Sequence, residues 1–223
     1  GQGASGRQRG GRGWVASFDD YLADFQRVVE RIAVDHSEAP LVVGHSMGGH
    51  LALRMAARVP FAGLCLTSPM VDLHLPVARG LARAILTPLA TSWAGDRRLG
   101  LDRGADRFEG NPLTSDRARF EKYRQVLRQT PQLETGPPTL QWLRQALMSI
   151  DAMWKEVPTI DTPTVIFGAL CDPIVPVEAM EKCAARLPNG RYVPLRGRHE
   201  LLQESDDIRA ALWAAMVQFW AGV

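Results

Sequence analysis

Only three cysteines occur in 223 residues, Cys65, Cys171 and Cys183. An odd number without metal-ligand spacing speaks against a disulfide framework and against a zinc site, so no metal is assigned. The thiol-only pattern leans toward a cytoplasmic location. A charge surplus is missing too: 26 basic residues face 24 acidic ones, for a formal net charge of +2. A phosphate-binding surface shows a far larger excess, so nucleic acid is not an expected partner. No apolar run approaches the roughly 20 residues that a membrane helix needs, because Arg, Lys or Asp interrupts each one. No transmembrane segment is expected.

What is present is ordinary globular composition, with 46% hydrophobic and 22% charged residues, 20 Gly and 15 Pro. The length suits one domain with a decorated core. Residues 1–13, GQGASGRQRGGRG, show no apolar period. Their first six letters match the dinucleotide fingerprint G-x-G-x-x-G, which needs a strand before it and a helix opening inside it. Neither is signalled, so a surface loop is the reading. With no Met at the start and no strand upstream, the chain is expected to lack the first strands of its sheet, completed by a missing N-terminal segment or a second chain.

The pattern then alternates. Phe18, Leu22, Phe25, Val29 and Ile32 recur at helical spacing behind a Ser17/Asp20 capping-box pattern, predicting a helix over 17–35. After Pro40, the apolar run Leu41–Ser46 reads as a strand buried on both faces. A helix follows over 47–59, and a second apolar run over 61–67 completes a strand-helix-strand unit, which connects parallel strands. From 72 to 155 the signals are helical only, around 77–92, 114–129 and 139–154. Strands resume at 163–168 and 191–195, each followed by a helix, at 176–187 and 205–221. The expected class is α/β, a mostly parallel sheet with helices on both faces, divided as core (1–71), helical cap (72–155) and core (156–223).

Gly44-His45-Ser46-Met47-Gly48 is G-x-S-x-G placed between a strand and a helix. There a tight turn strains the serine and lifts its hydroxyl above the sheet edge, while Gly44 and Gly48 leave room for strand and helix to close. A serine hydroxyl is a poor nucleophile near neutrality and needs a base with a group to orient it. In a parallel sheet such groups gather past the carboxyl ends of strands. Asp172 and His199 follow the two later strands, in the order Ser, Asp, His. Of the other histidines, His36 and His74 read as solvated, His45 belongs to the turn itself, and His50 rides the helix after it. Asp161 precedes its strand and so lies at the wrong edge; Glu200 and Glu204 are the competing carboxylates.

GHSMGG, then Ser68-Pro69-Met70 opening the helical insertion, then GALCDPIVP and GRHELLQESDDIR resemble the lysophospholipase and monoacylglycerol lipase branch of the α/β-hydrolases. GQGASGR followed by SFDDY is similar to the stretch after the fourth strand of bacterial members. The resemblance spans essentially the whole chain. It implies Ser46 as nucleophile, His199 as general base and acid, Asp172 holding the imidazole and the Met47 N–H in the oxyanion hole. In such enzymes a second oxyanion donor comes from a loop after the third strand, upstream of these residues.

The implied activity is hydrolysis of a small-molecule or monoacyl lipid ester without a cofactor. Met70, Trp142 and Leu143 are candidate substrate contacts, and Leu81, Ile85, Trp93, Leu147 and Trp154 are further apolar residues of the insertion that could line an acyl pocket. Arg97, Arg98, Arg103 and Arg107 alternate with Asp96, Asp102 and Asp106, which reads as a solvated mixed surface. Acyl transfer or peptide hydrolysis would use the same three side chains, and a non-catalytic fragment would keep the fold alone.

Overall fold

The computed structural model describes residues 4–6, 12–98, 107–134 and 136–223. Most of the glycine-rich start (residues 1–3 and 7–11) lies outside the described residues, as do Asp102, Arg103 and Asp106. The elements are α1 (Phe18–Asp35), β1 (Leu41–His45), α2 (Met47–Ala56), β2 (Gly63–Thr67), α3 (Arg79–Ala90), α4 (Arg117–Gln129), α5 (Leu140–Glu156), β3 (Thr164–Ala169), α6 (Val177–Arg186), β4 (Gly190–Leu195) and α7 (Asp206–Trp220). Among the described residues no helix is long and apolar enough to cross a membrane.

Among the described residues four strands form one parallel sheet in the order β1-β2-β3-β4. Its register aligns Gly44 with Leu66 and Ile166 with Tyr192, and the side-chain period of two then sorts the faces. Cys65, Val165, Phe167 and Ala169 point to one face, where they meet Leu212 and Met216 of α7. On the other face α2 and α6 come so close that Gly44 abuts Gly49 of α2, and Gly190 abuts Ala184 of α6. Helices therefore cover both faces, and Leu64, Leu66, Ile166 and Phe167 are completely buried. Each such side chain contributes about 1.5–3 kcal/mol by leaving water.

The strand expected at 41–46 is present as β1, but it is not buried on both faces: among the described residues it is an edge of the sheet, on the side where the first strands were expected to be missing, and Leu41 and Val43 are 45% and 48% exposed. An apolar run reports affinity for a pleated surface, and an edge position leaves part of that surface open.

The chain divides into two compact units. One contains the sheet and spans Tyr21–His74, Pro112–Asp116 and Ile150–Val223; the other comprises Gly1–Asp20, Leu75–Asn111 and Arg117–Ser149. In the sheet unit, Arg54 of α2 grips Glu156 at the end of α5 with Nε–Oε2 and Nη2–Oε1 distances of 3.0 and 3.1 Å. The helical unit has its own ties. Thr139 caps α5 by accepting from the Trp142 N–H and donates its hydroxyl to the Gly13 carbonyl, while Phe18 packs on Trp142 with ring centroids 5.4 Å apart. These bonds tie Gly13 and Phe18 to the helical insertion. The capping box at α1 is present: the Ser17 hydroxyl accepts from Asp19 N and the Asp20 carboxylate accepts from Ser17 N.

Candidate active site

Ser46 stands between β1 and α2 with φ 48° and ψ −117°, a backbone conformation that non-glycine residues adopt only at a cost of about 1–3 kcal/mol. Three backbone hydrogen bonds hold it there: Ser46 N donates to Thr67 O, and Ser46 O accepts from His50 N and Met70 N. Of the two glycines expected to give the turn its room, Gly44 does so and Gly48 does not. A side chain on Gly48 would meet nothing within 4 Å, whereas one on Gly44 would stand 2.8 Å from Gly49 Cα, and one on Gly49 would stand 2.9 Å from Pro69 Cβ. The close pair is Gly44 and Gly49.

Asp172 follows β3 and is 6% exposed. Its Oδ1 accepts from the N–H groups of Ile174 and Val175 at 2.8 and 3.0 Å, which leaves Oδ2 aimed at His199 Nδ1, 2.7 Å away. The opposite ring nitrogen, Nε2, lies 2.9 Å from Ser46 Oγ. A carboxylate can only accept, so Nδ1 carries a hydrogen and Nε2 presents its lone pair to the serine hydroxyl. Hydroxyl, imidazole and carboxylate thus form one hydrogen-bonded line, made of the three side chains singled out in the sequence.

The competing carboxylates have other partners. Glu204 is completely buried; it accepts from Arg198 N at 2.7 Å and from Ser115 N and Oγ at 3.0 and 2.5 Å. With Glu200 N donating to Leu113 O and the Thr114 hydroxyl to Gln203 O, these bonds fasten the His199 loop to residues 113–115. Glu200 Oε1 stands 3.2 Å from His45 Nε2. Burial opposes ionisation of Glu200, but the contact with His45 and the fields of His45 and His199 outweigh it and a smaller opposing push from Asp172, so its carboxyl is held below the ordinary range. His45 in turn places its ring 5.0 Å from that of His199, inclined at 60°.

His36 and His74 are exposed, as expected. His50 is completely buried, and burial first, then the Arg54 guanidinium, push it down to about 3 against a smaller contribution from the Met70 backbone. It is a neutral core residue.

The apolar residues of the insertion part company. Leu147 is completely buried, and Trp154 donates its indole N–H to Val71 O with Lys182 and Arg186 over its ring. Leu81, Ile85 and Trp93 are 54%, 48% and 79% exposed, so they do not line a closed acyl pocket; helical spacing identified a stripe without saying which side of it is covered. Trp142 packs on Phe18 and Leu143 is half-buried. Met70, beside the nucleophile, is 2% exposed.

A profile for the α/β-hydrolase family described as serine aminopeptidase, S33, matches residues 1–206. The chain belongs to this family. A probable lysophospholipase L2 of Haemophilus influenzae is 28% identical over 225 residues, covering 94% of this chain and 68% of the relative. Lysophospholipase L2 of Escherichia coli K12 is 27% identical over 243 residues, covering 99% of this chain and 69% of that protein. The crystal structure of a monoacylglycerol lipase from Paleococcus ferrophilus superposes with a TM-score of 0.75 at 17% identity, covering 100% of this chain and 80% of that one, and so shares the fold. This α/β-hydrolase falls in the lysophospholipase and monoacylglycerol lipase-like branch and is a serine ester hydrolase.

Proposed function

We propose that this α/β-hydrolase cleaves monoacyl lipid esters of the lysophospholipid or monoacylglycerol kind through an acyl-enzyme on Ser46. The observation that carries the proposal is the unbroken line from Ser46 Oγ through His199 to Asp172, at 2.9 and 2.7 Å. His199 Nε2 takes the hydroxyl proton as Ser46 Oγ bonds to the ester carbonyl carbon; Asp172 holds the ring in the tautomer that leaves Nε2 free and stabilises the imidazolium. As the tetrahedral intermediate collapses, the carbon–oxygen ester bond breaks and the departing alcohol takes the proton back from His199. Water then repeats the sequence on the acyl-enzyme and releases the fatty acid.

The Met47 N–H, in the first turn of α2 where helix donors have no intrahelical partner, is proposed as an oxyanion donor. Met70, Trp142 and Leu143 are proposed substrate contacts on the strength of the family resemblance, and Met70 has the added support of its backbone bond to Ser46. The lipid ester class rests on the relatives, which are aligned over nearly the whole chain. A cytoplasmic location is proposed with it, supported by three unpaired thiols.

The test is release of free fatty acid from lysophosphatidylcholine and from monooleoylglycerol by the purified protein, beside stoichiometric labelling by a fluorophosphonate. Fatty acid release that disappears in Ser46→Ala together with the label supports the assignment. Label retained in Ser46→Ala rejects Ser46 as nucleophile. Labelling of Ser46 without hydrolysis of either lipid, but with cleavage of an aminoacyl peptide or transfer to an added alcohol, replaces the substrate class.

A further inference from the structure

The Ser46–His199–Asp172 line accounts for both nitrogens of His199 but not for what keeps the ring in plane from the side. That side is occupied by His45, which lies edge-on to His199 with centroids 5.0 Å apart. His45 is held by Thr67 at one ring nitrogen and faces the Glu200 carboxylate with the other. Its Nδ1 lies 3.1 Å from Thr67 O and 3.0 Å from Thr67 Oγ1, and its Nε2 lies 3.2 Å from Glu200 Oε1. Turning the His45 ring would break its contacts with Thr67 and carry Nε2 away from Glu200. Glu200 is fixed in turn, because its N–H donates to Leu113 O at 2.8 Å and its carbonyl accepts from Gln203 N at 2.7 Å. All these residues belong to the sheet unit.

We propose that His45 and Glu200 act as a positioning pair for His199: the His45 ring braces the imidazole on the line between Asp172 and Ser46, and the Glu200 carboxylate locks His45 while placing a second negative charge beside the imidazolium that forms during reaction. The inference rests on the triad proposed above. Its physical basis is that a ring held by two in-line hydrogen bonds can still rock about the axis joining them. A misplacement of about 1 Å at a reacting atom costs on the order of 100-fold in rate. The charged and titratable groups around His199 are Asp172 after β3, His45 at the end of β1, Glu200 beside it, and Arg198 and Glu204 in its own loop. The last two are engaged elsewhere, Arg198 Nη1 on Thr114 O and Glu204 on Ser115 and Arg198 N. Glu200 is thus the carboxylate near His199 that neither forms the triad nor anchors the loop.

The experiment compares Glu200→Gln, which keeps the shape and removes the charge, with His45→Phe, which keeps a ring and removes both polar contacts, and with the double variant. Turnover of a soluble monoacyl ester is followed across pH, with thermal stability recorded alongside. Each single variant should lose turnover about 10-fold with KM little changed, and the double should be no worse than the weaker single, because the two side chains act as one unit.

Glu200→Gln removes one negative charge beside the imidazolium that forms during reaction, so the acid limb of its activity profile should move to lower pH. His45→Phe leaves that carboxylate in place and should not move the limb downward. Losses that multiply in the double variant, or an unmoved acid limb in Glu200→Gln, overturn the pairing. Ser46→Ala run in parallel separates the two ideas: if it abolishes labelling while Glu200→Gln and His45→Phe behave as the parent, the triad stands and the positioning pair falls.

Discussion

α2 and α3 are helices of similar apolar character with opposite fates. In α2 every residue from Gly49 to Met55 is buried, including His50 and Arg54. In α3 only Ala82, Leu86 and Ala90 are buried, while Leu81, Ile85 and Leu89, one position earlier in each turn, are 54%, 48% and 41% exposed. The difference lies in what each helix must do. α2 carries the nucleophile turn and is clamped against β1 by a glycine pair, so its whole circumference is enclosed. α3 buries only a narrow line, Ala82, Leu86 and Ala90. Apolar sequence is therefore a permissive signal, and tertiary position decides how much of it is covered.

The sharpest way to break the contrast is at the clamp. Gly44→Ala and Gly49→Ala each force a methyl into contacts of 2.8–2.9 Å, the first against backbone and the second against the Pro69 ring. Overpacking of this kind costs typically 1–3 kcal/mol and shifts backbone. Because the shift falls beside Ser46, the fluorophosphonate labelling rate should drop about 100-fold or more, by the same sensitivity to displacement that governs other reacting groups. Gly48→Ala is the control. It meets open space within a helix, so it should leave labelling near the parent rate and raise the melting temperature slightly, alanine being favoured over glycine there by about 1 kcal/mol.

That control also marks where sequence reasoning stops. G-x-S-x-G names Gly44 and Gly48 by position, but only the approach of two backbones shows that the second close contact is Gly49. Ser46, Asp172 and His199 were legible because strand ends of a parallel sheet are fixed points, and each residue lies shortly after one. The partnership of His45 with Glu200 was not, since nothing local links a residue in the turn with one after the last strand. Glu204 was legible as a carboxylate near the site, but its work of tying down the His199 loop depends on Ser115, in a segment that composition alone assigns to the insertion.

The interior of the enclosed helix supplies the next effect. Leu53 is completely buried in α2, and Leu53→Ala should cost about 2–5 kcal/mol, read as a fall in the denaturation midpoint at constant slope. His50, on the same helix, makes the enclosure sensitive to acid. Its folded value of about 3 lies below the ordinary 6.5, so between those limits the unfolded chain takes up a proton that the folded chain refuses. Stability should fall as pH drops through that window, by up to about 1.4 kcal/mol per unit, and be fully restored above it. In His50→Gln this contribution vanishes, so the slope of stability against pH between 6.5 and 3 should flatten; an unchanged slope would show that other groups govern the acid response.

The smallest effect is expected on α3, and it tests the comparison from the other side. Leucine and glutamine have nearly equal helix propensity, so Leu81→Gln changes little except the apolar surface presented to solvent. With Leu81 54% exposed, the substitution should alter stability by no more than about 0.5 kcal/mol. One turn on, at the neighbouring buried position, Leu86→Gln places an amide where the side chain is 7% exposed. An amide left there without a partner costs about 1–3 kcal/mol. The pair isolates position on the helix from chemistry of the substitution. If Leu81→Gln proved as costly as Leu86→Gln, the exposed stripe of α3 would have to be covered in the folded protein in solution, and the contrast with α2 would disappear.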